Sequence, residues 1–113
     1  MSGPQFRLKG ATKKSHQGTE PSHKDLEARL RHEGLRDIRW WSNGPGDTYG
    51  WHAHEYHKVL YCASGSVVFH TRDGDVALGP GDRLDIQPAT EHAATVGLEG
   101  VTCVEAARHA EQR

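Results

Sequence analysis

The stretch GWHAHEYHKVLYCASG, residues 50–65, carries the strongest signal for the fold and the site of this chain. It holds three histidines close together and continues as an apolar run that ends at a glycine. Side chains along a strand alternate between two faces, so His52, His54 and Lys58 are expected on one face and His57 on the other. Two histidines at positions i and i+2 of one face can bind a single metal ion. His57 could join them only if a bulge shifted the phase of the strand.

The chain from residue 38 onward consists of short runs rich in β-branched and aromatic residues, separated by glycine, aspartate and proline. The Asp-Gly pair in RDGD, residues 72–75, is typical of a tight hairpin. Strands at this spacing, with no helix between them, predict an antiparallel sandwich or a small barrel over residues 38–113.

The first twenty residues are polar and carry an excess of basic side chains. Residues 1–20 are predicted to form a flexible tail, because so few apolar residues cannot offset the entropy lost on ordering. The alternative is a first strand that docks on a partner subunit through Phe6 and Leu8.

A short helix and a linker are predicted for residues 21–37. Ser22 is a candidate N-cap, and Leu26 and Leu30 lie four residues apart on one helical face. This helix is expected to pack against the β-domain or close one end of it.

The composition excludes several classes of protein. The chain has 113 residues, 35% apolar residues and a formal net charge of −1, which fits one small domain with no field that attracts nucleic acid or a membrane surface. No apolar run is long enough to span a bilayer, and no secretory signal is present, so a cytoplasmic location is expected. Cys62 and Cys103 are predicted to be free thiols.

A third ligand is needed to complete a metal site with the histidine pair. His92, in GDRLDIQPATEHAATVG (residues 81–97), is the candidate, because a returning antiparallel strand can bring it to the same face. The pair alone is a weak motif, and an exposed polar face explains it equally well. The downstream histidine shifts the interpretation towards a metal site.

The first of two motifs that resemble the cupin superfamily contains this pair. The family pattern G-x5-H-x-H-x3-E-x6-G is matched by Gly46, His52, His54 and Gly65. Lys58 stands at the position of the glutamate.

The second motif resembles the family pattern G-x5-P-x-G-x2-H-x3-N. Gly81 and His92 keep its spacing, whereas Pro88 is displaced by one position. Thr90 stands near the expected inner glycine, and Val96 replaces the asparagine. The resemblance extends over residues 38–108.

The resemblance implies an antiparallel jelly-roll β-barrel, which follows a short N-terminal helix and pairs as a homodimer. It implies that His52, His54 and His92 bind a divalent transition metal, and three imidazoles suit Fe, Zn, Ni, Co or Cu without choosing among them. Some cupins, thiol dioxygenases among them, bind iron through three histidines without a carboxylate. The implied function is binding of a metal and a small anionic organic molecule, as in a metal-dependent dioxygenase or isomerase. The alternative is a non-catalytic small-molecule binding or sensing protein, with or without a metal.

Lys58 adds a positive charge where the family has a negative one. An anion that bridges the metal and Lys58 is the favoured arrangement, because it relieves their repulsion. Lys58 could instead be uncharged and act as a base or nucleophile, it could belong to a pocket without metal, or its side chain could extend into solvent. Tyr56, on the same face, is expected to donate a hydrogen bond to the ligand, although a core aromatic explains it as well.

Overall fold

The computed structural model describes residues 2–109 and consists of eight strands and one helix in that range. In chain order these are β1 (Ser2–Leu8), β2 (Ala11–His16), α1 (His23–His32), β3 (Arg36–Asn43), β4 (Thr48–His52), β5 (His57–Thr71), β6 (Gly74–Leu78), β7 (Arg83–Ile86) and β8 (His92–Arg108). No helix among these residues is long and apolar enough to cross a membrane.

The two long strands, β5 and β8, form the centre of the fold. They pair antiparallel along nearly their whole length, from His57 opposite Arg108 to Thr71 opposite His92. The first half of β5 also pairs with β7 and its second half with β6, while β8 pairs with β4 near its start and with β3 near its end. The sheet therefore has two halves that share β5 and β8.

Gly65 allows the two central strands to bend between these halves. Its φ is +74°, and a Cβ atom there would lie 2.0 Å from the carbonyl oxygen of Gly100 on β8. Only a glycine combines this left-handed conformation with so close an approach. The register between β5 and β8 also shifts on both sides of this point.

Alternation along β5 and β8 creates two apolar clusters. The inner cluster draws residues from both halves of the sheet and includes Leu60, Cys62 and Cys103. Cys62 and Cys103 face each other in register, and both are free thiols, as predicted. The outer cluster lies under α1, where Leu26 and Leu30 are fully buried.

The helix follows the sequence signals closely. The Ser22 side chain accepts a hydrogen bond of 3.0 Å from the backbone N–H of Asp25, which confirms Ser22 as the N-cap. The helix ends before Gly34, which adopts a left-handed φ of +74°.

Two features differ from the expected barrel. The strand order β1-β2-β7-β5-β8-β3, with β4 and β6 as branches, does not close on itself over the described residues. The helix is not the first element, since β1 and β2 precede it.

The polar segment before the helix forms a hairpin over residues 2–16, where the sequence predicts no regular structure. Strand β2 pairs with β7 of the same chain and extends the sheet, and β1 is its outer edge. Ala11 is buried, Leu8 packs against the inner cluster and Phe6 remains 48% exposed. Backbone pairing stabilises this segment where its side chains alone predict disorder.

Candidate functional site

Three histidines from three different segments converge at one end of the sheet. His52 ends β4, His92 begins β8, and the two are direct partners across the β4–β8 pair. His54 lies in the connection between β4 and β5. One ring nitrogen of each histidine lies within 4.8 Å of those of the other two.

The backbone fixes the orientation of two of the rings. Nδ1–H of His52 donates to the carbonyl oxygen of Gly50 at 2.7 Å, and Nδ1–H of His92 donates to the carbonyl oxygen of Thr90 at 2.9 Å. Because a carbonyl can only accept, Nδ1 carries the proton in each ring and Nε2 keeps its lone pair.

Buried Nε2 atoms without partners mark the centre of the site. Nε2 of His54 and Nε2 of His92 are buried and make no hydrogen bond. Buried polar atoms in folded proteins are nearly always satisfied, so two such atoms side by side call for a missing partner. A divalent metal fits this requirement, since neutral imidazole nitrogens are its ordinary ligands.

The surroundings keep these imidazoles neutral. Burial, with smaller contributions from the positive charge of Lys58 and from the neighbouring imidazoles, lowers the pKa of His54 from 6.5 to about 4. Burial also lowers the pKa of His92, against an opposing effect of its hydrogen bond to Thr90. Both rings therefore offer lone pairs at neutral pH.

We expect the free energy of unfolding of the metal-free protein to fall as the pH decreases from 6.5 towards 4. In this window the unfolded chain protonates His54, whose pKa there is near 6.5, while the folded chain resists with a pKa of about 4. Acid thus favours the unfolded state, whereas well above pH 6.5 neither state protonates His54 and the folded protein has its full stability. Urea denaturation at several pH values measures how steeply the free energy of unfolding changes with pH.

His54→Gln should make this pH dependence shallower, whereas His32→Gln, at an exposed histidine, should leave it unchanged. The same pH dependence in the wild type and both variants would contradict the lowered pKa of His54.

The segment that carries His54 differs from the predicted continuous strand. Strand β4 ends at His52 and β5 begins at His57, so the alternation argument fails between them. The backbone N–H of Ala89 holds the segment in place by donating to the carbonyl oxygen of His54 at 2.7 Å. This contact links the His54 segment to the turn that precedes His92.

Ala89 takes the conformation that the second motif reserves for glycine. Its φ is +65°, one of two positive values among the non-glycine residues described. It stands three positions before His92, which is the place of the motif's inner glycine, so Ala89 and not Thr90 is the equivalent residue. A left-handed alanine is strained by about 1–2 kcal/mol. In this conformation the backbone N–H of Ala89 makes its hydrogen bond to His54.

The structure supplies a carboxylate partner for Lys58. The side chain of Lys58 is 11% exposed, and its Nζ lies 3.1 Å from Oε1 of Glu105 on β8, so Lys58 does not extend into solvent. Glu105 also accepts hydrogen bonds from Trp41 Nε1 at 2.8 Å and from Arg39 at 3.0 Å. Burial opposes ionisation of Glu105, but the charge of Lys58 and these hydrogen bonds outweigh burial and hold its pKa below the usual value.

Glu105 was not foreseen, although the sequence contains a signal for it. In VTCVEAA, residues 101–107, alternation places Val101, Cys103 and Glu105 on one strand face. A carboxylate on an otherwise apolar face needs a cationic partner. Its partner lies far away in the sequence, and only the pairing of β5 with β8 brings the two together.

The other polar residues of the opening stretch lie elsewhere. Nε2–H of His57 donates to the Asp85 carboxylate at 2.7 Å, and His57 is not part of the histidine cluster. Glu55 is exposed. The Tyr56 ring packs on His54 with centroids 4.9 Å apart, yet Tyr56 lines a neighbouring cavity of about 420 Å³. Its contact with a ligand stays a prediction.

A cavity of about 320 Å³ opens beside the histidines. Two of them line it together with the Lys58–Glu105 pair and a set of aromatic side chains. The lining residues are Arg39, Trp40, Trp41, Tyr49, His52, Lys58, Phe69, His92, Ala94 and Glu105. Its size and mixed lining are those of a site for a small organic molecule.

The family of the chain follows from its sequence as well as from this architecture. The Cupin domain family matches residues 39–101, which is more than half of the chain. The chain therefore belongs to the cupin family. A search of curated proteins found no match.

Solved structures of several cupins resemble this one. A cupin-2 domain protein from Shewanella frigidimarina is 19% identical, with a TM-score of 0.54, over 63% of this chain and 69% of that one. A DMSP lyase structure is 31% identical with a TM-score of 0.57, and the match covers 65% of this chain but only 37% of the lyase chain. A 3,4-ketoisomerase from Thermoanaerobacterium thermosaccharolyticum, in complex with TDP, is 22% identical with a TM-score of 0.57, over 69% of this chain and 62% of that one.

Proposed function

We propose that this cupin binds a divalent transition metal through His52, His54 and His92. The two buried Nε2 lone pairs without hydrogen-bond partners carry this proposal. The donor set suits iron, zinc, nickel, cobalt or copper. When bound, such an ion supplies a positive centre that can polarise a ligand oxygen.

We propose further that the cavity holds a small anionic organic molecule beside the metal. Lys58 and Arg39 share one carboxylate, Glu105, so the charged side chains that line the cavity leave a surplus of one positive charge. A metal ion would increase that surplus. Glu105 balances only one of the two positive charges of Lys58 and Arg39. The remaining positive charge, rather than an unpaired Lys58, attracts the anion.

A metal-dependent dioxygenase or isomerase is the catalytic form of this proposal. The lyase and the ketoisomerase are cupins that act as enzymes, but one fold carries many functions. A protein that binds its ligand without turnover is the alternative, and incubation of candidate anions with the metal-loaded protein under oxygen separates the two. A homodimer is expected for either form by its resemblance to other small cupins.

Metal analysis of protein purified without an affinity tag tests the metal site. We expect about one metal ion per chain in the wild type and less than one tenth of that in His92→Ala, because removal of a ligand opens the site. His57→Ala is the matched control: it removes an imidazole from the same stretch that contacts Asp85 instead, and it should retain the metal. Equal metal content in His92→Ala and the wild type would contradict the proposal.

A further inference from the structure

One part of the cavity beside the histidines, called the slot below, is lined by Tyr49, Ala94 and Phe69 at neighbouring positions of three strands. Tyr49 on β4 and Phe69 on β5 are both register partners of Ala94 on β8, the strand between them. All three side chains line the cavity. Two strand spacings separate the backbones of Tyr49 and Phe69 by about 9.5 Å. Between these two positions Ala94 contributes only a methyl group to the cavity wall.

The shape of this slot suits a flat group. A planar group that stacks at about 3.5 Å on each of two rings needs about 7 Å between them, and the spacing of the two strand positions allows this. Trp41 closes one side, since its ring meets Tyr49 edge to face with centroids 5.8 Å apart. Tyr49 lines the cavity and is 38% exposed. A ligand in the cavity can cover this exposed part of its side chain.

The end of the slot carries spare positive donors. Arg39 gives one hydrogen bond to Glu105, and the described residues provide no partner for its remaining N–H groups. Its side chain is 70% exposed and lines the cavity, so it can reorient towards a ligand. Lys58 uses one of its donors on Glu105 and lies at the same end. A guanidinium and an ammonium together match a carboxylate.

We infer that the ligand of this cavity is a small planar organic carboxylate, with its ring between Tyr49 and Phe69 and its anionic end at Arg39 and Lys58. This inference rests on the proposed function for the presence of an anion and adds the ligand class and Arg39 as a determinant of specificity. The Trp41 indole N–H, which donates to Glu105, lies beside that end and reports on binding.

Titration of the metal-free protein with benzoate, benzamide, acetate and inorganic phosphate tests the ligand class. The readout is the NMR signal of the Trp41 indole N–H, assigned with Trp41→Phe. We expect benzoate to bind at least tenfold more tightly than benzamide, which lacks the charge, and than acetate, which lacks the ring. Equal affinity for benzamide, tighter binding of acetate or phosphate, or no binding of benzoate would each overturn the inference.

Arg39→Gln tests the anchor, with Arg36→Gln on the same strand as its control. Arg36 is exposed and does not line the cavity. We expect Arg39→Gln to weaken benzoate binding at least tenfold while its affinity for benzamide stays the same, and Arg36→Gln to bind both like the wild type. Equal weakening in the two variants, or none in Arg39→Gln, would contradict the role of Arg39.

The metal content of the same samples separates this inference from the proposed metal site. A protein that binds metal but not benzoate refutes the planar carboxylate and leaves the histidine site in place. A protein that binds benzoate without ever taking up metal refutes the metal site and leaves the inference standing.

Discussion

Glu105→Leu is expected to lower the free energy of unfolding by about 3–5 kcal/mol. Glu105 is 6% exposed and accepts from Lys58, Arg39 and Trp41. Its removal leaves the ammonium of Lys58 buried without a counter-charge, and desolvation of that charge is the main cost. Urea denaturation of the metal-free protein at neutral pH measures the change.

The double variant Lys58→Met/Glu105→Leu should recover most of the lost stability. Two apolar residues of similar volume remove the buried charges together, which is often neutral or stabilising. Arg39 can return to solvent because its side chain is already 70% exposed. A double variant as unstable as Glu105→Leu would mean that shape, and not charge, makes Glu105 important.

Glu27→Leu is the matched control for this prediction. Glu27 also accepts from a tryptophan, Trp40, and from an arginine, Arg31, but on the exposed face of α1. Its loss should change the free energy of unfolding far less than the loss of Glu105, because exposed ion pairs contribute little. An equal cost at both sites would show that burial does not decide the effect.

Lys58→Met is expected to tighten metal binding by at least tenfold. Lys58 lines the same cavity as His52 and His92, so its ammonium repels a divalent cation held there, and loss of the ammonium removes that repulsion. Glu105 keeps Arg39 and Trp41 as donors, so its negative charge stays near the site in the variant and Lys58 no longer offsets it. Competition with a chelator at fixed ionic strength measures the affinity.

Lys58→Glu, which restores the family's residue, should tighten metal binding further. Its carboxylate would lie beside Glu105, so this variant should be less stable than the wild type without metal and should gain more stability from metal. Lys14→Met is the control for Lys58→Met, because it removes the same single charge at a lysine that does not line the cavity. An unchanged affinity in Lys58→Met would contradict the proposed closeness of Lys58 to the metal.

Much of the candidate site was predictable because its residues follow the spacing of a known motif. His52, His54 and His92, the three residues of the predicted set, lie close together, and His57 contacts Asp85 instead. Strand alternation does not explain this arrangement, since His54 lies in a connection between two strands. The sequence spacing H-x-H is the same whether both histidines lie on one strand or the second lies in the connection that follows, so the spacing cannot distinguish the two arrangements.

The N-terminal hairpin shows a different limit of prediction. Residues 2–16 have too few apolar side chains to predict an ordered segment by burial. Backbone hydrogen bonds join β2 to the edge of β7. Amino-acid composition does not reveal that such an edge is available, because backbone pairing does not depend on apolar side chains.

The sequence by itself determined the family, the strand-rich character, the capped helix and the identity of the clustered histidines, because these depend on local periodicity and on fixed spacing along the chain. Only the tertiary structure decided what Lys58 does. Its partner Glu105 lies on another strand, and antiparallel pairing sets which residues of β5 and β8 meet. Lys58, which stands where the family has a glutamate beside the three histidines, is therefore half of a buried ion pair. The net charge of the cavity depends on that pair and Arg39 together.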